Sequence, residues 1–290
     1  MTLAQALFMG LLQGATELFP VSSLGHAVLI PSLLHWSFKQ SDPSFVPFLV
    51  LLHLGTASAL LFIYRNEWVQ IIRGFFTAAL RGRIETPPER LAMLLMVGTI
   101  PGATLGVYFE HQLKSLFASP KAAAGFLIVN GFLMLGAEVL RRRAERRAAL
   151  AAKTREEQEQ SFAVAEQISF RAAALVGACQ ALSLFPGISR SGITIGGGLL
   201  AGLRHQEAAR LSFLLATPII AGAGVIEVPL LVSAGIPVAE YLAAALLAAC
   251  AAYLSARFLL RYFRSGRLDP YGWYCAAAGV GSLALLTLRP

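Results

Sequence analysis

Six long apolar segments constrain this chain more than any other feature of its sequence. A helix needs about 20 apolar residues to cross about 30 Å of hydrocarbon. Only 14% of the 290 residues are charged and 56% are hydrophobic, whereas soluble domains carry about 25% charged residues. We therefore predict an all-α polytopic membrane protein with six transmembrane helices. They lie at about residues 45–64, 91–109, 122–140, 211–232, 238–258 and 271–288.

Two further apolar stretches are interrupted, so neither is expected to cross the membrane as a single helix. The first is broken at Phe19-Pro20 and the second at Pro186-Gly187, because proline disrupts a helix interior. A new helix is predicted to begin near Ser189. Non-helical backbone at membrane depth is tolerated only where it is buried in protein or lines a polar cavity. Each stretch is therefore predicted to form a re-entrant helix pair.

Lysine and arginine are unevenly distributed, and this distribution predicts the orientation. Nineteen of the 24 basic residues collect in four loops, which the positive-inside rule places in the cytoplasm. Both termini then face the outer side, the first re-entrant pair enters from outside and the second from the cytoplasm. The net charge of +8 follows from these loops, so no nucleic-acid partner is predicted. The four loops are 65–90, 141–171, 204–210 and 257–267.

The two broken stretches resemble each other, which indicates an internal repeat. The tripeptide Leu-Phe-Pro occurs at 18–20 and at 184–186, and serines follow both copies. Similar halves that enter from opposite sides form an inverted-topology repeat, which brings broken helices together near the bilayer midplane. We predict that the two breaks share one site. The predicted organisation is a single integral membrane domain, 1–290, with a first half at 1–140, a charged cytoplasmic connection at 141–167 and a second half at 168–290.

The first break carries a cluster of reactive residue types. Gln13 and Glu17 are four residues apart and share a helix face. Ser22, Ser23 and His26 follow the proline, which adds hydroxyl nucleophiles and an imidazole to the carboxylate. Ser22 could serve only as a helix N-cap. His26, considered alone, would more often be a polar residue with a structural hydrogen bond than a catalytic one.

The second break contains Arg190, the only charged residue between 172 and 203. A guanidinium at membrane depth costs about 2.5–3.5 kcal/mol on insertion scales. A helix N-terminus with a fork-shaped cation beside it favours a phosphate ligand. The plainer alternative is an arginine that reaches the interface or pairs with a carboxylate. The hydroxyls that accompany the cation belong to Ser189, Ser191 and Thr194.

Together these groups suit cleavage of a phosphoanhydride, in which positioned charge does most of the work. A divalent cation, Mg²⁺ or Ca²⁺, could bridge Glu17 and the diphosphate oxygens. Ser23 could attack phosphorus with His26 moving the proton, His26 could attack, or a water could be activated. The sequence does not separate these routes. It also leaves open whether His53 lines the cavity or makes a structural hydrogen bond, and Glu138 is expected to be solvated.

The sequence resembles bacterial undecaprenyl-diphosphate phosphatase, the bacitracin resistance protein family. The resemblance is carried by Gln-Gly-Ala-Thr-Glu-Leu-Phe-Pro-Val-Ser-Ser-Leu-Gly-His at 13–26 and Pro-Gly-Ile-Ser-Arg-Ser-Gly-Ile-Thr at 186–194, and it covers nearly the whole chain. It implies release of the terminal phosphate of undecaprenyl diphosphate, which recycles the lipid carrier for peptidoglycan synthesis. It also implies a bacterial inner membrane, a site open to the periplasmic face and dependence on a divalent cation.

Roles for nine residues follow from that resemblance. It implies that Glu17, Ser23, His26 and Arg190 are catalytic, with Glu17 also a metal ligand. It implies that the substrate is bound by Gln13, Ser22, Ser189, Ser191 and Thr194. Some members have glutamate at the position of Gln13, so this chain offers a metal one fewer anionic ligand.

Other functions remain open at this level. A polyprenyl-phosphate flippase or transporter would use the same midplane site, since broken helices in inverted repeats are the usual architecture of secondary transporters. Transport needs no nucleophile, so Ser23 and His26 favour the phosphatase. The predicted partners are a polyprenyl diphosphate and membrane lipids. The sequence is compatible with a homodimer and does not fix the oligomeric state.

Overall fold

The structure, a computed structural model, describes residues 1–36, 40, 42, 44–109, 119–151, 168–233, 238–264 and 266–288. Within these ranges the chain is helical, with a short 3₁₀ helix at Ala181–Leu184 and no strand. The helices are α1 (Leu3–Thr16), α2 (Ser23–Leu33), α3 (Phe45–Ile63), α4 (Arg65–Arg81), α5 (Pro87–Tyr108), α6 (Pro120–Ala151), α7 (Phe170–Gln180), α8 (Arg190–Leu200), α9 (His205–Ser233), α10 (Val238–Tyr262) and α11 (Asp269–Leu288).

Six of these helices are long and apolar enough to cross a membrane, namely α3, α5, α6, α9, α10 and α11. Each covers one of the six predicted segments to within one residue, so the prediction of an all-α polytopic membrane protein is confirmed. Helix α6 continues beyond its apolar part as far as Ala151. The rest of the predicted charged connection, residues 152–167, lies outside the described residues.

The two interrupted stretches each form a pair of short helices. Helices α1 and α7 have 14 and 11 residues, and their partners α2 and α8 have 11 each. Both partners begin with a serine cap: Ser22 Oγ accepts from the backbone N–H of Gly25, and Ser189 Oγ from that of Gly192, each at 3.1 Å. Such caps satisfy N–H groups that a helix start leaves without partners. The predicted breaks and the helix start near Ser189 are confirmed.

Small residues let the short helices approach the long ones. A Cβ added at Gly10 of α1 would lie 2.2 Å from the carbonyl oxygen of Ala244 in α10. A Cβ at Gly177 of α7 would lie 2.2 Å from the carbonyl oxygen of Gly98 in α5. Close backbone approach through small residues is typical of membrane helix packing. Exchanging the two repeat halves turns the pairing of α1 with α10 into the pairing of α7 with α5, so the two pairings fit the predicted repeat. The division at residues 140 and 168 stays a prediction.

The expectation that Glu138 is solvated is wrong. Its side chain is fully buried, and its carboxylate accepts from Arg142 Nε at 3.0 Å and from the backbone N–H of Leu268 at 3.3 Å. It also lies 2.9 Å from His205 Nε2, and Arg142 in turn pairs with Asp269. These five residues, the Glu138 network, join α6 to the starts of α9 and α11. Neighbouring basic groups make the burial tolerable. Arg142 is one helical turn away, whereas His205 reaches Glu138 only in the folded chain.

Candidate active site

Glu17 is the point at which the two broken helices meet. It directly follows α1 and is buried. Its Oε2 accepts hydrogen bonds from Gln13 Nε2 at 2.9 Å and from Ser23 Oγ at 2.5 Å. Its Oε1 accepts from Arg190 Nη2 across 173 positions of sequence. The structure therefore brings together Gln13, Glu17, Ser23 and Arg190, four of the nine residues that the sequence assigned to one site.

Arg190 is the first residue of α8, and only one side of its guanidinium is paired. Nη2 bonds Glu17, whereas Nη1 is buried and has no hydrogen-bond partner among the described residues. A buried donor without a partner calls for an explanation. Because guanidinium groups bind phosphate through such N–H groups, this nitrogen is positioned to receive a phosphate oxygen.

A cavity of about 180 Å³ lies between the two breaks. The N-termini of α2 and α8 adjoin it, and helix N-termini carry partial positive charge. The lining also contains apolar residues, among them Leu184 and Ile219. The cavity therefore suits an anionic head with an apolar attachment. Its polar lining consists of Glu17, Ser22, Ser23, His53, Ser183, Ser189 and Arg190.

His53 is the histidine that the structure brings to this cavity. It comes from α3, and its Nε2 lies 3.2 Å from Glu17 Oε2. Its Nδ1 donates to the carbonyl oxygen of Leu49 at 2.7 Å, because a carbonyl only accepts. The sequence left the role of His53 open between cavity lining and a structural hydrogen bond, and the structure shows both.

His26 lies outside the lining of the cavity. Its Nδ1 donates to the carbonyl oxygen of Ser22 at 2.7 Å, and its Nε2 lies 2.7 Å from the hydroxyl of Tyr274. In a neutral ring with its proton on Nδ1, Nε2 accepts from that hydroxyl. Both ring nitrogens are therefore engaged, and the imidazole holds the backbone of Ser22. The geometry differs from the expected contact between His26 and Ser23.

Ser22 occupies an unusual backbone conformation where the two breaks touch. Its φ is +65°, in the left-handed region that residues other than glycine rarely adopt. Its hydroxyl donates to the carbonyl oxygen of Ile188 at 3.4 Å. Opposite it, Gly187 has φ +111°, and a Cβ there would lie 2.3 Å from the carbonyl oxygen of Ala123. The backbone strain at Ser22, a residue other than glycine, is of a kind that is common at functional sites.

Two of the predicted substrate-binding hydroxyls face the protein rather than the cavity. Ser191 Oγ donates to the carbonyl oxygen of Phe19 at 2.9 Å. Thr194 Oγ1 lies 2.8 Å from the carbonyl oxygen of Arg190 and 2.5 Å from Ser212 Oγ. These contacts hold α8 against the first break and against α9. Ser22 and Ser189, by contrast, do line the cavity.

Asn130 of α6 joins the two breaks and was not singled out in the sequence. It is fully buried. Its Oδ1 accepts from the backbone N–H of Ser189 at 3.0 Å, and its Nδ2 donates to the carbonyl oxygen of Pro20 at 3.3 Å. A polar side chain inside an apolar span is the signal that could have found it.

The residues at Glu17 fit a hard cation that the substrate helps to bind. Gln13 Oε1 is buried and has no hydrogen-bond partner among the described residues, so an acceptor oxygen lies beside the carboxylate. Magnesium sites commonly combine one or two carboxylates with substrate phosphates. The described residues contain no cluster of three or more histidine, cysteine or acidic side chains arranged for a metal. Substrate oxygens would therefore have to complete the coordination.

Fold and site together define a polytopic helical membrane protein with an anion-binding cavity between two broken helices. Residues 6–281 match the family model described as Bacitracin resistance protein BacA, and the chain belongs to this family. It is 46% identical to a protein named Undecaprenyl-diphosphatase from Mycolicibacterium paratuberculosis, over 98% of this chain and 97% of that protein. It is 44% identical to Undecaprenyl-diphosphatase 2 from Chromobacterium violaceum, over 98% of each. It is also 44% identical to Undecaprenyl-diphosphatase from Acidiphilium cryptum, over 99% of each. The resemblance inferred from the two motifs is confirmed.

Proposed function

We propose that this protein is an undecaprenyl-diphosphatase, which hydrolyses undecaprenyl diphosphate to undecaprenyl phosphate and inorganic phosphate. One observation carries the proposal: a half-paired Arg190 and a carboxylate-bonded Ser23 lie in the same cavity at the starts of α8 and α2. The names of the relatives support the same activity.

The diphosphate binds with its terminal phosphate between the two helix N-termini. Arg190 Nη1 donates to a non-bridging oxygen, since this nitrogen has no partner among the described residues. Ser189 lines the same cavity. Donors fixed before the substrate arrives need no reorganisation during the reaction, which is why such arrangements stabilise developing charge effectively.

Ser23 is the nucleophile in this proposal. Its hydroxyl donates to Glu17 at 2.5 Å, so the carboxylate can take the proton as Oγ bonds to the terminal phosphorus. The bond from that phosphorus to the bridging oxygen breaks, and undecaprenyl phosphate departs with the electron pair and the proton. Water then attacks the phosphoserine, and its proton returns through Glu17 to Ser23 Oγ as inorganic phosphate leaves. His26 lies outside the cavity lining, which favours Ser23 as the attacking side chain.

A divalent cation, Mg²⁺ or Ca²⁺, is proposed to be held by Glu17, by Gln13 Oε1 and by phosphate oxygens. Such a cation would supply positive charge to the diphosphate. The orphaned amide oxygen of Gln13 supports this assignment.

The cavity is proposed to open toward the periplasmic side of a bacterial inner membrane, with both termini on that side. The distribution of lysine and arginine among the loops supports this orientation. The product would then re-enter synthesis of peptidoglycan as a recycled lipid carrier.

Phosphate release from undecaprenyl diphosphate by the purified protein tests the proposal. With Mg²⁺ present we expect turnover, and Arg190→Ala and Ser23→Ala should each lower kcat at least about 100-fold. A chelator should abolish activity, and added Mg²⁺ should restore it. Ser58→Ala is the matched control, since this α3 hydroxyl bonds the carbonyl of Gly55 away from the cavity. Near-normal turnover in both site variants would show that the site is misassigned.

A further inference from the structure

An open groove lies on the surface of the helix bundle between α3 and α10, away from the active site. Its volume is about 470 Å³, and none of its lining residues also lines the active-site cavity. Phe62 and Leu254 are 59% and 68% exposed at its edge. Exposed apolar side chains on a membrane-spanning helix contact lipid tails, which are as apolar as leucine. The groove is lined by Ser58, Ala59, Phe62, Ala249, Cys250, Tyr253 and Leu254.

The two helices that form this groove run parallel to each other. Phe48 packs on Tyr241 with ring centroids 4.6 Å apart, and Phe62 lies beside Tyr253 with ring centroids 6.2 Å apart. These contacts follow the same order along α3 and along α10. Residues that follow Phe62 and Tyr253 in the chain therefore lie beyond the same end of the groove.

An exposed arginine follows each of these two aromatic residues by about one helical turn. Arg65 Cζ lies 5.1 Å from the ring centroid of Phe62, and its Nη1 donates to that residue's carbonyl oxygen at 3.1 Å. Arg257 Cζ lies 5.7 Å from the ring centroid of Tyr253, and its Nη1 donates to that residue's hydroxyl at 3.3 Å. Cations within about 6 Å of a ring centroid are attracted to the ring. Neither guanidinium pairs with a carboxylate among the described residues, so both can meet an external anion.

Both arginines belong to loops that the positive-inside rule places in the cytoplasm. Anionic lipids give the cytoplasmic leaflet a negative surface potential, and basic pockets between transmembrane helices on that side bind anionic head groups. A phospholipid has its acyl chains in the membrane and its phosphate at the surface. An apolar groove with two cations at its cytoplasmic end has the same layout.

We propose that this groove binds an anionic phospholipid, with an acyl chain along the groove and the phosphate at Arg65 and Arg257. Charge complementarity selects this occupant. A zwitterionic lipid would bring its own cation toward the two arginines. A second copy of the chain, which carries the same charges, would enclose both arginines without supplying a carboxylate from this surface, and buried charges without partners are costly. The site is separate from the active-site cavity, so it does not depend on the proposed hydrolysis.

Lipid binding to the purified full chain, measured by native mass spectrometry, tests this site. The probes are dioleoyl phosphatidylglycerol and dioleoyl phosphatidylcholine, which have the same acyl chains and differ in charge. We expect the wild type to bind phosphatidylglycerol at least about fivefold more tightly, equivalent to about 1 kcal/mol. Arg65→Gln and Arg257→Gln should each raise the Kd for phosphatidylglycerol about fivefold, because each removes one cation near the phosphate. Arg143→Gln should leave this Kd unchanged, since this exposed arginine lies on α6, which does not line the groove.

A second pair of variants tests the apolar part of the site. Cys250→Phe fills the groove from an exposed position and should weaken phosphatidylglycerol binding at least about fivefold. Ala243→Phe places the same ring at an exposed position of α10 outside the groove and should have no effect. Equal affinity of the wild type for the two lipids would overturn the proposal, as would an equal loss in Arg143→Gln and in the groove variants. Dissociation of a dimer by Cys250→Phe, with lipid affinity unchanged, would assign the groove to a second copy instead.

Discussion

Glu17 is the residue on which both halves of the site depend, because its two oxygens bond to different elements. One oxygen accepts from Arg190 of α8 and the other from Ser23 of α2. Removing one partner of a buried ion pair destabilises a protein by about 3–5 kcal/mol, since the remaining charge stays buried. Loss of activity in a Glu17 variant therefore has to be read beside a measurement of its folding.

At His26 the structure separates a positioning role from a chemical one. An asparagine can present an amide N–H where His26 Nδ1 now donates to Ser22. We expect the kcat of His26→Asn to stay within about tenfold of wild type. The kcat of His26→Ala should be at least about tenfold lower still, because losing a hydrogen bond to a buried group costs about 1–3 kcal/mol. Phosphate-release kinetics would measure both variants. Equal and severe loss would indicate that a ring nitrogen takes part in the reaction.

The sequence predicts much of the site at this scale and misses the rest for a physical reason. Glu17, Ser23 and Arg190 are recognisable because charged or reactive groups beside helix breaks are costly in an apolar segment. His53 and Asn130 reach the site from α3 and α6, so their contacts depend on how distant helices pack. Which of the two histidines, His26 or His53, lines the cavity likewise depends on helix rotation, which local spacing in the sequence does not determine.

At the scale of elements, close helix contacts locate the second break. Gly177 of α7 packs on Gly98 of α5 so tightly that a methyl group would overlap a carbonyl oxygen. We expect Gly177→Ala to destabilise the protein by about 1–3 kcal/mol. Gly136→Ala on α6, where a Cβ meets no atom within 4 Å, should be neutral or slightly stabilising. Thermal unfolding in detergent compares the two, and an equal effect on Tm would contradict the proposed contact.

Helix positions follow from sequence more reliably than helix contacts. Apolar length predicted all six long helices, and proline and serine predicted where α8 begins. Which of the chain's 26 glycines sit at tight contacts was not predictable, because glycine is frequent in membrane helices for several reasons. Gly177 and Gly136 look alike in the sequence and differ only in what faces them.

At the scale of the whole molecule, the Glu138 network fastens α6, α9 and α11 together. We expect Glu138→Ala to lower stability by about 3–5 kcal/mol, because Arg142 and His205 would lose a buried partner. Glu85→Ala is the matched control, since Glu85 pairs with Arg83 in an exposed position and such pairs contribute about 0–1 kcal/mol. Chemical denaturation would measure both, and equal effects would argue against a stabilising network.

This network also marks the limit of prediction at that scale. Loop charges predict on which side a helix end lies, and Glu138 was placed at such an end for that reason. They do not predict whether a charge faces water or another helix. The starts of α9 and α11, which meet Glu138, lie more than 60 residues from it in the sequence.

The contact between Arg190 and Glu17 has a consequence for which lipids can enter. Arg190 already has an internal counterion in Glu17, so the pair carries little uncompensated charge into the bilayer. An incoming head group binds the other guanidinium nitrogen, Nη1, while that carboxylate offsets part of the attraction. Ordinary phospholipids present a single diester charge and gain little from this weakened attraction, whereas a diphosphate presents several charges at once. The counterion Glu17 thus weakens the binding of lipids with a single negative charge. A rare lipid with several charges can therefore be selected in the presence of abundant ordinary phospholipids.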